Sequence, residues 1–310
     1  MPSLKNYIPA LRYGAKLPLG SLEGSGVLTF GNTYYVNSVT GSDTANTGTD
    51  KDQPFATIDR AFTSVTASQG DVIFVMPGHA ETISGTTTSS LTMDVAGVRV
   101  IGLGVGNNRP TITLATPTTT TITISAANCS LENVILKSTI AECASMITVS
   151  GAGCTLDQVD VQGGATSIVT FITTTAAADQ ITISNCQHRT TAAVTAAGPW
   201  INLVGADDAK IINNFFTIVT KNDATSNIIG GGTTASLRVI VKNNEIYNLG
   251  TSCIAISMYT ASTGMISYNN IGCSKTTAAG AVVPASCFAT QNFVTNVTST
   301  SGKLDPVATA

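Results

Sequence analysis

Charge and aromatic area are scarce in this chain. Of 310 residues only 11% are charged and 5% aromatic, with one tryptophan and two histidines. The net charge of −3 gives no long-range attraction to nucleic acid or to an anionic membrane, so neither is expected as a partner. No apolar run approaches the roughly 18 residues of a membrane-spanning helix. The first residues lack the basic, then apolar, then small-residue order of a secretory leader, so export by that route is not expected. The seven cysteines include no Cys-x-x-Cys pair and no Cys/His cluster, so no zinc, other metal or cofactor is expected.

What the chain has instead is a repeat. Between 129 and 271 a β-branched strand, an amide side chain and another apolar residue recur: CSLENVIL from Cys129, CTLDQVDV from Cys154, ITISNCQH from Ile181, KIINNFF from Lys210, VIVKNNEI from Val239 and MISYNNI from Met265. With Asn133, Gln158, Asn185, Asn214, Asn244 and Asn270 as marks, the gaps are 25, 27, 29, 30 and 26 residues. A period in the twenties with one strand cluster per unit predicts a solenoid whose coils bury their apolar faces on one another. Coils stacked at roughly 4.8 Å set like residues above one another. Asn fits the corner because it tolerates left-handed backbone and can bond both to the backbone and to the next Asn. Alternation places Cys129, Leu131, Cys154 and Leu156 inward, with the two thiols read as a reduced, buried stack.

Stacked strands with an Asn corner resemble the right-handed parallel β-helix proteins of the pectate-lyase-like class. The resemblance implies an all-β, single-stranded solenoid. It specifies no activity, because lyases, hydrolases, viral spikes and structural proteins share such rods.

Four regions follow. Residues 1–31 read as an extended arm: Pro2, Pro9 and Pro18 interrupt regular structure, and the first 22 residues carry +3 with no acid, leaving −6 for the rest. Lys5, Tyr7, Ile8, Leu11, Arg12, Tyr13, Lys16 and Leu17 are its candidate partner-binding residues, with packing along its own rod as the alternative. Residues 32–85 read as a cap coil. There Phe55, Ile58, Ala61, Phe62 and Val65 stand at helical spacing after Pro54, predicting an amphipathic helix of about 12 residues across the open end. YYVN, GSD, PFATIDRAF and GDVIFVMPGHAETI together look like the N-terminal capping coil of many β-helix proteins of bacteria and their viruses. Residues 86–275 form the body, with VRVIGLG, TITL and TITIS as its first coils, and 276–310 a closing segment.

Chemistry is harder to find. Glu132 and Asp157 hold equivalent outward positions in successive coils, with backbones about 5 Å apart, close to the roughly 5 to 5.5 Å carboxyl separation of retaining glycosidases. Ser184 and Asn213 follow at that register, and a solvated pair relieved by Lys137 is the plainer reading. Asp207-Asp208 resembles the paired aspartates of β-helix polygalacturonases, but that family's Asn-Thr-Asp, Gly-His-Gly and Arg-Ile-Lys motifs are absent. His79 and His188 are read as structural, Arg238 and Lys242 as facing no Asp column, and 229–232 as a flexible glycine loop with no P-loop lysine.

No catalytic residue is therefore assigned. The resemblance of cap and coils to phage-associated β-helices implies a non-enzymatic bacteriophage virion protein. The expected form is a capsid decoration or cement subunit, assembled in the host cytoplasm, gripping the shell through its arm and trimeric by analogy. The alternative is a tailspike-like or secreted polysaccharide depolymerase, supported by Glu132 and Asp157.

Overall fold

The computed structural model describes residues 31–85, 91–140, 142–162, 168–189, 199–218, 227–248, 254–273, 281–295 and 303–304. The chain winds through three sheets of ten, eight and ten strands, in which each strand pairs with its counterparts one coil before and one coil after. Face one runs from Thr33–Val36 to Phe288–Thr290, face two from Ala80–Ile83 to Lys303–Leu304, and face three from Leu91–Met93 to Val282–Val283. The pairings are parallel except the last, where Lys303–Leu304 lies antiparallel against Asn292 and Phe293. This is a right-handed parallel β-helix.

Period-two alternation builds the interior. On face one Ile73, Val100, Leu131, Leu156, Ile183, Ile211, Val241 and Ile266 stack in register and are almost wholly buried. Cys129 and Cys154 are buried, free thiols in neighbouring coils, each directed at a backbone carbonyl, of Val95 and of Ala126. Burial pushes the Cys154 thiol up to about 11 and the Cys186 thiol up to about 12, so both stay protonated at neutral pH.

The corner between faces one and two separates two amide roles that the sequence merges. One residue per coil, namely Asn133, Gln158, Asn185, Asn213, Asn243, Tyr268 and Gln291, turns the corner with φ between 52° and 58°. The next residue points inward, and there Asn214, Asn244, Asn269 and Asn292 form a buried ladder. Asn244 Nδ2 donates to Asn269 Oδ1 and to the Ile211 carbonyl, both at 2.9 Å, and the Asn244 backbone N–H donates to the same Oδ1 at 3.0 Å. Asn269 repeats this toward Asn292 and Val241, and the ladder ends where the Cys186 N–H donates to Asn214 Oδ1. The sequence marks Asn214, Asn244 and Asn270 are therefore not on one column with Asn133, Gln158 and Asn185. The corner mate of Asn185 is Asn213.

At the N-terminal end the helix α1 covers only Ile58–Phe62, shorter than the spacing predicts. It is well started: Thr57 Oγ1 accepts from the Arg60 N–H, and Glu81 Oε2 accepts from the Ile58 N–H at 3.1 Å. It stops because Thr63, Ser64, Val65 and Thr66 are poor helix formers and the Thr63 hydroxyl bonds back to the Arg60 carbonyl. Phe55 is not on the helix but bridges Val36. Parallel stacking begins at Thr33–Val36 against Val72–Val75, so the cap is itself the first coil, ahead of VRVIGLG. The glycine run is not a loop either. Asn227–Gly231 is a strand of face three, and a Cβ on Gly231 would stand 2.1 Å from the Tyr259 backbone nitrogen.

Substituting Asn269 by Leu removes the acceptor of two Asn244 donors and the side-chain donor to the Val241 carbonyl, and leaves Asn292 Oδ1 only the backbone N–H of position 269. The expected loss is about 2–4 kcal/mol, given about 1–3 kcal/mol for each buried polar group left unpaired, and urea unfolding measures it. A loss below about 1 kcal/mol would show that the ladder contributes little.

Candidate functional site

The polar groups gather on the outer shoulder where face one turns into face two. The last outward residue of face one gives the column Ile101, Glu132, Asp157, Ser184, Ile212, Lys242 and Ser267. Glu132 and Asp157 are direct partners on adjacent parallel strands, as their spacing predicts. Two coils on stands Ile212, not Asn213, because Asn213 turns the corner with φ 58°.

Neither acid is relieved by Lys137. Arg99, outward on the preceding coil, clasps Glu132 through Nη2 at 2.9 and 3.0 Å and Nε at 3.1 Å. The Ser130 hydroxyl donates to the same carboxylate at 2.7 Å. Asp157 Oδ1 accepts from the Ser184 hydroxyl and from Asn185 Nδ2, both at 2.6 Å. One carboxylate is thus held by a cation and the other by neutral donors.

Across the corner, the first outward column of face two runs Thr111, Ile135, Asp160, Gln187 and Phe215. Arg109 stands just before this face. Its Nη2 reaches Asp160 Oδ2 at 2.6 Å and its Nη1 the Gln158 carbonyl at 3.3 Å, two coils away. Bridging from the Thr111 coil to the Asp160 coil takes it past the intervening coil, where Ile135 faces outward yet is 1% exposed. Gln162 Nε2 donates to the same Asp160 oxygen at 2.8 Å. The sequence does not reveal this cluster, since two residues 51 apart in number meet only if the coil lengths between them are known.

Asp207 and Asp208 lie on the opposite corner, entering face one, and Arg238 joins them. Its guanidinium forms two bonds to Asp208 at 2.7 and 2.8 Å and one to Asp207 at 3.4 Å. These bonds hold the exposed Asp208 carboxyl below the usual range. Arg238 therefore does face aspartates, one coil away, and they serve as a corner clasp.

The histidines are structural. His79 Nδ1 accepts from the Ser38 N–H at 3.0 Å and its Nε2 meets Glu81 at 3.2 Å beneath α1. His188 is inside the rod, stacked on Trp200 with ring centroids 4.1 Å apart, while Trp200 stacks on Phe171 at 5.6 Å. Its Nδ1–H donates to the Val161 carbonyl at 2.8 Å. Burial lowers the His188 pKa to about 4, partly offset by that carbonyl and by Asp160. Among the described residues no group of three or more His, Cys, Asp or Glu side chains could hold a metal, and no helix is long and apolar enough to cross a membrane. The arm candidates Lys5, Tyr7, Ile8, Leu11, Arg12, Tyr13, Lys16 and Leu17 lie outside the described residues.

Because His188 takes up its proton near pH 6.5 when unfolded but near 4 when folded, the unfolded state binds more protons between those values. Stability is expected to be flat above pH 6.5 and to fall by on the order of 3 kcal/mol as pH drops from 6.5 to 4. Comparing unfolding of wild type and His188→Phe across that window isolates the effect, and identical pH slopes would refute it.

No protein-family model matches the chain, and no curated protein matches it. Solved structures do. A pectin methylesterase in complex with a hexasaccharide superposes with a TM-score of 0.58 at 13% identity, over 89% of this chain and 93% of that one. A mutant pectin methylesterase with another hexasaccharide gives 0.51 at 14% identity over the same shares. A rhamnogalacturonan lyase gives 0.45 at 16% identity, over 78% and 74%. At these identities the likeness is one of fold, and the fold it identifies is the right-handed parallel β-helix.

Proposed function

We propose that this protein is a polysaccharide depolymerase whose glycan lies across the coils along the shoulder between faces one and two. The observation that carries the reading is the in-register pair Glu132 and Asp157, on adjacent strands of a wall that also presents Arg99, Arg109, Asp160 and Gln162. Parallel strands roughly 4.8 Å apart set the two carboxylates near the roughly 5 to 5.5 Å separation used by retaining glycosidases. Arg99 and Ser130 fix the Glu132 carboxylate in the role of nucleophile or charge stabiliser. Asp157, held only by neutral donors, is the member left to exchange a proton with a leaving sugar. Long rods suit extended chains, and two of the similar structures, with TM-scores of 0.58 and 0.51, are pectin methylesterases solved with bound hexasaccharides.

A second reading keeps the protein as a bacteriophage virion subunit, a capsid decoration or cement protein anchored by Lys5 to Leu17. It rests on the +3 charge of the first 22 residues against −6 for the rest. It rests also on Met265, Tyr268, Phe288 and Phe293, which are 40–57% exposed in the last coils and would be covered in a homotrimer. This reading assigns Glu132 and Asp157 no task.

Incubation with a panel of neutral and uronate polysaccharides, followed by reducing ends and by the ultraviolet absorbance of unsaturated products, tests the first reading. Glu132→Gln with Asp157→Asn is expected to lower release at least about 100-fold, the contribution of a positioned acid or base, with unchanged unfolding. No release by wild type, or full release by the double variant, would reject it. Deleting residues 2–16 tests the second: loss of incorporation into phage particles with cleavage unaffected would establish the arm as an anchor.

A further inference from the structure

Face one carries an outer apolar patch that the β-helix interior does not account for. Ile73, Val75 and Val100 point into the rod and belong to its core, whereas Val72, Phe74 and Ile101 alternate with them, point outward, and form a separate cluster with Tyr35 and Leu103. Tyr35 and Phe74 lie with ring centroids 6.0 Å apart. Despite facing away from the core, Val72, Phe74 and Ile101 are 1%, 3% and 7% exposed. The same face supplies an internal comparison. The column that runs from Thr33 through Val72 continues coil by coil to Met265 and Phe288, which are 40% and 57% exposed. Outward apolar side chains on this face are bare at one end of the rod and covered at the other.

We propose that residues 18–30 of this chain dock along the outer patch of face one. Three observations select this occupant. The described chain begins beside the patch: Asn32 N–H donates to Asp71 Oδ1 at 2.6 Å, the Asn32 carbonyl accepts from the Val72 N–H at 2.9 Å, and a Cβ on Gly31 would stand 2.5 Å from Asp71. The described chain therefore starts at the edge of Val72. The composition of the 18–30 segment fits, because Leu19, Leu22, Val27, Leu28 and Phe30 supply apolar side chains and Glu23 is the one charge between 18 and 30. Its length suffices too. Thirteen residues reach up to about 43 Å when extended, while the coils bearing Tyr35, Phe74 and Ile101 span about 10 Å.

Photocrosslinking in the full chain tests the docking. With p-benzoylphenylalanine placed at Phe74, or at the half-buried Tyr35 in case the first site perturbs folding, irradiation is expected to join the probe to a peptide within 18–30 at monomer mass. The same probe at Met265 is expected to give no such product. Crosslinks at dimer mass would assign the patch to a second copy and overturn the proposal, as would capture of another segment or of none from both positions. Independently, Leu19→Ser, Leu22→Ser and Val27→Ser combined are expected to raise binding of an apolar dye several-fold, while Tyr7→Ser, Ile8→Ser and Leu11→Ser leave it unchanged. Equal dye binding by the two triple variants would overturn it as well.

Discussion

Everything in this rod depends on one constraint: a parallel coil is hydrogen-bonded to the coils before and after it at a fixed spacing, so each residue position becomes a column. Whatever occupies a column must be compatible with itself a few ångströms away. Apolar columns meet this trivially, which is why the interior is Val, Ile and Leu. A buried polar column meets it only if each member can both donate to and accept from its neighbour. Asn does so, since its amide has two donors and an acceptor with two lone pairs. The side-chain oxygens of Asn244, Asn269 and Asn292 each take two bonds, and each Nδ2 from Asn214 to Asn292 spends one donor on a carbonyl and, before the last rung, the other along the ladder. An isolated Asn at that depth would be a liability. Linked to its neighbours it pins the register, because a slip of one residue would strand the whole row.

The same constraint makes charge expensive on the outer wall, where a column of acids repels itself. This chain resolves the problem diagonally. Arg99 serves Glu132 from the coil before, Arg109 serves Asp160 from two coils before, and Arg238 serves Asp207 and Asp208 from the coil after. Each cation reaches across coils, so these ion pairs tie the rod lengthwise, perpendicular to its strands. The shoulder bearing Glu132, Asp157 and Asp160 is where two of these clasps meet.

The fold was legible because columns leave a direct trace in sequence: alternation for the strands, an amide near each corner, a period in the twenties. Register was only partly legible. Glu132 and Asp157 were paired correctly, whereas the marks at Asn214, Asn244 and Asn270 slid by one or two positions because each stands in a pair of adjacent asparagines. Corner and ladder amides sit side by side in Asn213-Asn214 and Asn243-Asn244, and composition alone cannot say which turns and which stacks. The helix was overextended because Val65 continues the apolar spacing while Thr63 to Thr66 oppose helix locally. The clasps of Arg99, Arg109 and Arg238 were missed for a simpler reason. Their partners are 30 to 51 residues away, and no local pattern encodes them.

Columns also act as rulers of environment, and this is how the two ends of the rod come to differ. Along one outward column of face one, side chains share the same backbone geometry, so differences in exposure report what lies above and beside them: Val72 stands between Thr33 and Arg99, Phe288 on the last strand beside Met265. Val72 is sealed and Phe288 is bare. An open solenoid has two ends to protect, and here the solutions are unequal. The first coil gains the helix Ile58–Phe62 beneath it, with Glu81 and His79 satisfying the amides of Ile58 and Ser38. The last gains an antiparallel strand at Lys303–Leu304 that ends the parallel ladder on face two. Among the described residues the two ends therefore differ: the first coil is closed by the helix, and the final coils carry the exposed Met265, Tyr268, Phe288 and Phe293.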